Sequence, residues 1–201
     1  MSKTNYLTAP YISWGAVLLL ILILQFYHTD VFELLRYERQ DIVAGEYWRL
    51  ITAHFVHLSW GHCLLNIAGY VLILALFGEY LTTGLFLLTI LLSMLAIDIG
   101  LFTLHKDIHW YVGFSGVLHG LFLAGLIFAY KIDRHSWAKW LLAILTLKLV
   151  WEMFMGALPG STQMSGGKVI VEAHFYGALG GLISSLIVFR IRRGIREGKL
   201  S

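Results

Sequence analysis

The sequence predicts an all-α, polytopic membrane protein with six spans, organised as one domain over residues 1–201. Two compositional observations carry this. Of the 201 residues, 58% are hydrophobic and only 13% charged, where a soluble domain carries about a quarter charged residues. The apolar residues also fall into runs, and a bilayer-crossing helix needs about 20 of them in succession. The short connections between the runs are a third observation, because they leave no room for a separate soluble domain.

The spans read as Tyr11–Tyr27, Trp60–Gly78, Thr82–Phe102, Tyr111–Tyr130, Trp137–Ala157 and Val169–Phe189. The first is short. Its only basic flank is Lys3 and no small-x-small cleavage site follows Gln25-Phe26-Tyr27, so it is expected to be an uncleaved helix and not a signal peptide. The longest polar connection, His28–Ser59, holds Trp48 and Arg49 and is expected to lie partly in the interface. Tyr47, Trp48, Trp60, Trp110 and Tyr111 read as interfacial belt residues. The single cysteine, Cys63, excludes an internal disulfide and any multi-cysteine metal site. No basic patch with interleaved aromatics points to nucleic acid.

Basic residues set the expected orientation. Lys3, three residues in Lys131–Lys139 and five in Arg190–Lys199 make nine on one side. Arg36, Arg39, Arg49, Lys106 and Lys168 make five on the other. The excess places both termini in the cytoplasm. Spans 2, 4 and 6 then all enter from the outer face, and each carries polar residues soon after entering. These are His62 and Asn66 in span 2, Ser115 and His119 in span 4, and Glu172 and His174 in span 6. Ser115 lies five residues past Trp110 and His174 six past Lys168, which puts both roughly 8–9 Å below the outer boundary at about 1.5 Å per residue. His62 and Asn66, four apart, share one helix face. Polar groups at such depth usually face a protein interior or a water-filled cavity. A nucleophile-type, a base-type and donor-type groups at one depth are what acyl transfer requires.

Glycines make the meeting feasible. Gly113, Gly116 and Gly120 run through span 4, and Gly177, Gly180 and Gly181 through span 6. Gly177 and Gly181 have the Gly-x-x-x-Gly spacing that lets helix backbones approach closely. The plainer explanation is ordinary helix dimerisation, which the neighbouring Ser and His outweigh.

These residues resemble the rhomboid family. Gly113-Phe114-Ser115-Gly116 matches its Gly-x-Ser-Gly motif, Ala173-His174-Phe175-Tyr176-Gly177 its Ala-His-x-x-Gly motif, and His62-Cys63-Leu64-Leu65-Asn66 its His-x-x-x-Asn motif. Trp48-Arg49 looks like the Trp-Arg pair of the family's first outer loop. Each motif is weak alone, but they occur in family order from Trp48 to Gly181. The resemblance implies a six-transmembrane-helix rhomboid-like bundle in a bacterial inner membrane. It implies an intramembrane serine endopeptidase without cofactor, with Ser115 as nucleophile, His174 as base, and His62 and Asn66 beside the oxyanion. Transmembrane proteins would be the substrates and the lipid bilayer the medium. The six-helix length, Ser-Gly-Val-Leu-His-Gly at 115–120 and Glu-Ala-His at 172–174 look like the rhombosortase branch. That branch is associated with exported proteins bearing a C-terminal Gly-Gly sorting helix.

Other polar residues compete for roles. His119, one turn from Ser115, is expected to pack or support the site rather than act as base. Glu172, two positions from His174, does not share its helix face, so a dyad without a buried acid is expected; Asp98 is the residue best placed to overturn that. Lys148 and Glu152 read as an intrahelical ion pair, against a Ser–Lys dyad, because Lys148 lies several residues deeper than Ser115. Glu152, nearer the right depth, is alternatively a substrate contact. A metal reading of His54, His57, His62, His105 and His109 lacks any sign of convergence. The rival functions are a non-catalytic client-binding membrane protein and a metal- or haem-binding one.

Overall fold

The computed structural model describes residues 4–197. Lys3 and Lys199, counted in the charge argument, lie outside them. Helices dominate: α1 (Thr4–Phe26), α2 (His28–Leu35), α3 (Arg39–Val43), α4 (Arg49–Thr52), α5 (Trp60–Phe77), α6 (Thr83–Leu104), α7 (Ser115–Asp133), α8 (Ser136–Met155), α9 (Ser161–Ser165) and α10 (Val171–Arg196). The extended structure among the described residues is one two-residue ladder, β1 (Tyr37–Glu38) against β2 (Trp110–Tyr111), antiparallel with Tyr37 opposite Tyr111.

Four helices, α5, α6, α7 and α10, are long and apolar enough to cross a membrane. The protein is an integral, multi-pass membrane protein of the all-α class. The six-span expectation needs two qualifications. First, the expected span Tyr11–Tyr27 corresponds to α1, which among the described residues counts as a fifth span only together with α2, after a turn of 106°. Second, α8 has the length, but Lys139, Lys148 and Glu152 interrupt its apolarity.

The helices assemble through small residues, as lipid-embedded helices must when hydrophobicity gives no net drive between them. α10 packs most extensively on α6 and α7. A Cβ on Gly177 or Gly181 would collide with the carbonyls of Gly116 or Gly120, so α7 and α10 touch backbone to backbone. On the other side Ser93 Oγ donates to the Gly177 carbonyl (3.0 Å), and the Thr89 and Ser184 hydroxyls pair at 2.8 Å. α1 is pinned by Trp14, which stacks on Phe86 at 4.2 Å and whose carbonyl accepts from the Tyr70 hydroxyl (2.7 Å). α8 buries one stripe, Ala138, Leu145 and Glu152, at seven-residue spacing. Its other faces expose large apolar side chains such as Trp140 and Phe154, as lipid contact demands.

The connection expected to be interfacial is an ordered cap. Arg49 is buried, paired with Asp41 (3.0 Å) and Glu46 (2.6 Å), and donates to the Glu33 and Arg36 carbonyls. Trp48 Nε1 donates to the Leu34 carbonyl at 3.2 Å. Arg39 closes the end of α6, where the last carbonyls lack helical partners, by donating to Leu101, Phe102, His105 and Ile108.

Candidate active site

Ser115 opens α7, and Gly113 shapes the turn before it. The Gly113 φ of +117° suits glycine. A Cβ there would stand 2.9 Å from His62 Nε2, so the first glycine of the motif also makes room for the His62 ring. As the first residue of the helix, Ser115 has a backbone N–H without an intrahelical acceptor.

The glycine-mediated contact of α7 and α10 brings Ser115 Oγ to 3.0 Å from His174 Nε2. His174 Nδ1 faces Glu152 Oε2 at 3.0 Å. A carboxylate accepts only, so the proton sits on Nδ1, and Nε2 is left to accept from the serine hydroxyl. Glu152 is 4% exposed, and its Oε2 also accepts from Lys148 Nζ at 2.7 Å. Lys148 reaches His119 Nε2 at 2.8 Å. His119 donates from Nδ1 to the Ser115 carbonyl (2.7 Å) and stacks on His174, ring centroids 4.2 Å apart.

One expectation fails here. The histidine does have a buried acid, and it is neither Glu172 nor Asp98. Glu172 does not bond His174, and Asp98 pairs with His54 at 3.3 Å. The carboxylate is Glu152 of α8, because the single buried stripe of that helix points its carboxylate at α10. Lys148 meets Glu152, one turn on, at 2.7 Å. The expected ion pair is present, but within the site. The signal in the sequence was the charged i, i+4 pair inside an apolar helix, which is costly unless it serves something.

On the opposite wall, Ser59 caps α5 by accepting from the His62 N–H (3.1 Å). His62 Nδ1 accepts a long bond from the Leu58 N–H (3.4 Å), which leaves the ring proton on Nε2. Asn66 uses one amide hydrogen on the His62 carbonyl (2.9 Å) and keeps a second. His57 lies edge-on behind His62, centroids 5.0 Å apart. Burial, helped by His62 and His28, pushes its imidazole down to about 3, so it is a neutral buttress.

Between these walls lies a cavity of about 450 Å³. His62, Asn66, Ser115, His119, Lys148 and His174 contribute polar groups, Ser161 and Ser165 of α9 and Val169 close one side, and most of the remaining lining is apolar side chains of α5, α7 and α8. A smaller opening reaches Ser115 and His62 from the side of Trp110 and Lys168. Trp48 and Arg49 line neither, and hold the cap instead.

His54, His57, His62, His105 and His109 do not converge on one metal position. His54 meets Asp98, and His105 Nε2 meets the Tyr176 hydroxyl at 2.9 Å. Among the described residues the convergent set is His119, Glu152 and His174, whose ligand atoms lie within 4.8 Å of one another. The Lys148 ammonium already bonds two of them.

The sequence model of the Rhomboid domain matches residues 44–191, which contain every motif residue named above. The chain is also similar to "Putative rhomboid protease YdcA" of Bacillus subtilis (strain 168), with 24% identity over 149 residues that make up 73% of this chain and 69% of that protein.

Proposed function

The chain belongs to the rhomboid family, and on that premise we propose that it is an intramembrane serine endopeptidase in which Ser115 attacks and His174 is the base. The observation that carries this is the 3.0 Å contact of Ser115 Oγ with His174 Nε2 at the wall of the cavity. The hydroxyl proton passes to Nε2 as the oxygen adds to a peptide carbonyl. The resulting oxyanion is held by the Ser115 N–H, His62 Nε2–H and the free amide hydrogen of Asn66. Collapse expels the amine, which takes the proton from His174. The acyl-enzyme then yields to water, deprotonated by the same nitrogen.

A substrate must present an extended carbonyl, because a helical one is already hydrogen-bonded. The apolar cavity suits the end of a membrane helix, and the small opening beside Trp110 supplies water from the loop side. We assign the loop side to the outer face of a bacterial inner membrane, with both termini cytoplasmic. The substrate class follows the rhombosortase-like details, Ser-Gly-Val-Leu-His-Gly and Glu-Ala-His: exported proteins whose C-terminal helix follows a Gly-Gly segment. Glycine weakens helix and lets backbone enter a narrow cleft.

The test is release of such a client's exported domain in cells carrying this chain. Release requires Ser115 and stops when both client glycines become leucine. Undiminished release from the Leu-Leu client rejects the Gly-Gly specificity, and release by Ser115→Ala rejects the protease reading.

A further inference from the structure

We infer that Glu152, held by Lys148, is a positioning residue that fixes the tautomer and direction of His174, so that the site works as a Ser–His–Glu relay tied back onto the serine. The inference rests on the serine-protease reading above and names residues that reading does not need.

The five groups form a closed ring of hydrogen bonds. Ser115 Oγ donates to His174 Nε2 (3.0 Å), and His174 Nδ1 donates to Glu152 Oε2 (3.0 Å). That same oxygen accepts from Lys148 Nζ (2.7 Å), Lys148 Nζ donates to His119 Nε2 (2.8 Å), and His119 Nδ1 returns to the Ser115 carbonyl (2.7 Å). Each link forces the next. The Ser115 carbonyl can only accept, so His119 must carry its proton on Nδ1 and offer a lone pair at Nε2. An ammonium can only donate, and Lys148 fills that lone pair. A carboxylate can only accept, so His174 must carry its proton on Nδ1 and accept from the serine. With His174 neutral, one proton arrangement satisfies all five, and it is the one in which Ser115 is activated.

The charges agree with this role. Glu152 is buried at 4% exposure, and a lone carboxylate there would be costly. Lys148 supplies its counter-charge from the next turn of α8. When His174 takes the serine proton, the carboxylate already stands at Nδ1 to stabilise the imidazolium, as the acid of a serine-protease triad does. Lys148 is not the base, since its ammonium is spent on Glu152 and His119, and its third approach, 3.5 Å to His174 Nδ1, meets a nitrogen that already carries a proton. Two of the three groups a metal would need are bonded by this ammonium.

The experiment uses the full chain in liposomes with a single-span reporter whose helix follows a Gly-Gly segment, reading kcat and KM separately. Glu152→Gln keeps the shape but offers an amide N–H to Nδ1 and so favours the wrong tautomer. We expect kcat to fall on the order of 10⁴-fold, as on losing a triad acid, with KM within about threefold. Glu152→Asp, which keeps the charge, should recover at least about tenfold of the Gln loss. Lys148→Met should lower kcat alone, and adding it to Glu152→Gln should cost nothing more, because Lys148 acts through Glu152. That double variant is charge-neutral and so keeps the test available if Glu152→Gln, with its stranded ammonium, does not fold. A Gln or double variant with kcat within about threefold of wild type overturns the inference, as does a change confined to KM. Ser115→Ala in the same assay separates the two readings. If wild-type cleavage does not depend on Ser115, the protease reading fails. If it does and Glu152→Gln is unimpaired, only the relay fails.

Discussion

Gly116→Ala tests whether the helix contact sets the catalytic distance. An alanine Cβ there would stand 2.7 Å from the Ala173 carbonyl oxygen, whereas ordinary contact begins at 3.4 Å. The Ile97 methyl, also at 2.6 Å, is a side-chain end and can rotate away. The Ala173 carbonyl is backbone and cannot, so α7 and α10 must part by roughly 0.7 Å there. Gly116 and Ala173 are the immediate neighbours of Ser115 and His174, so the 3.0 Å Oγ–Nε2 contact would open to about 3.7 Å, beyond hydrogen-bond range. Misplacing reacting groups by about 1 Å can cost about 100-fold, and we expect kcat to fall about 10- to 100-fold. The assay is reporter cleavage in liposomes, with folding checked by thermal unfolding in detergent. Gly84→Ala is the control, because nothing lies within 4 Å of its added Cβ, and it should keep wild-type kcat. A folded Gly116→Ala enzyme with kcat within about twofold of wild type would refute the reasoning that this contact sets the distance.

Further outcomes follow from the same geometry. His62→Ala and Asn66→Ala should each lower kcat about 100- to 1000-fold with little change in KM, as loss of an oxyanion donor does; a raised KM alone would move them to substrate binding. Arg39→Ala should destabilise the protein by about 2–3 kcal/mol, because it removes four bonds to carbonyls around the end of α6, of which His105 keeps the Ile108 N–H; unfolding in mixed micelles with a loss below about 0.5 kcal/mol would assign those bonds little weight. Reporter fusions at Ser201 should read cytoplasmic, and an outer reading would break the charge-based orientation.

Much of the site was legible because it is written in local motifs. Gly-x-Ser-Gly sets a turn and a helix start, Ala-His-x-x-Gly puts a histidine on a helix with a small face, and counting residues from Trp110 and Lys168 gave both one expected depth, where their side chains meet at 3.0 Å. Depth does not give azimuth, and that is where Glu152 was missed. In α8 the Lys148–Glu152 pair is a signal that the helix serves something, but it does not say which neighbouring helix it faces; Ala138, Leu145 and Glu152 became the buried stripe through packing. Lys148 was placed by its Cα, although a long stem moves the charge by more than a helical turn. Trp48 and Arg49 were legible only as a loop pair known by resemblance, and packing commits the buried guanidinium to Asp41 and Glu46 of the cap. The sharp bend between α1 and α2 had no proline or glycine to announce it.

The central claim is that His174 makes Ser115 nucleophilic, and labelling of the full chain by a fluorophosphonate tests it most directly. Mass spectrometry of the adduct should place it on Ser115. Labelling should vanish in Ser115→Ala and fall to background in folded His174→Ala, while Gly84→Ala labels as wild type does. An adduct on another residue, or undiminished labelling of Ser115 without His174, would contradict the account.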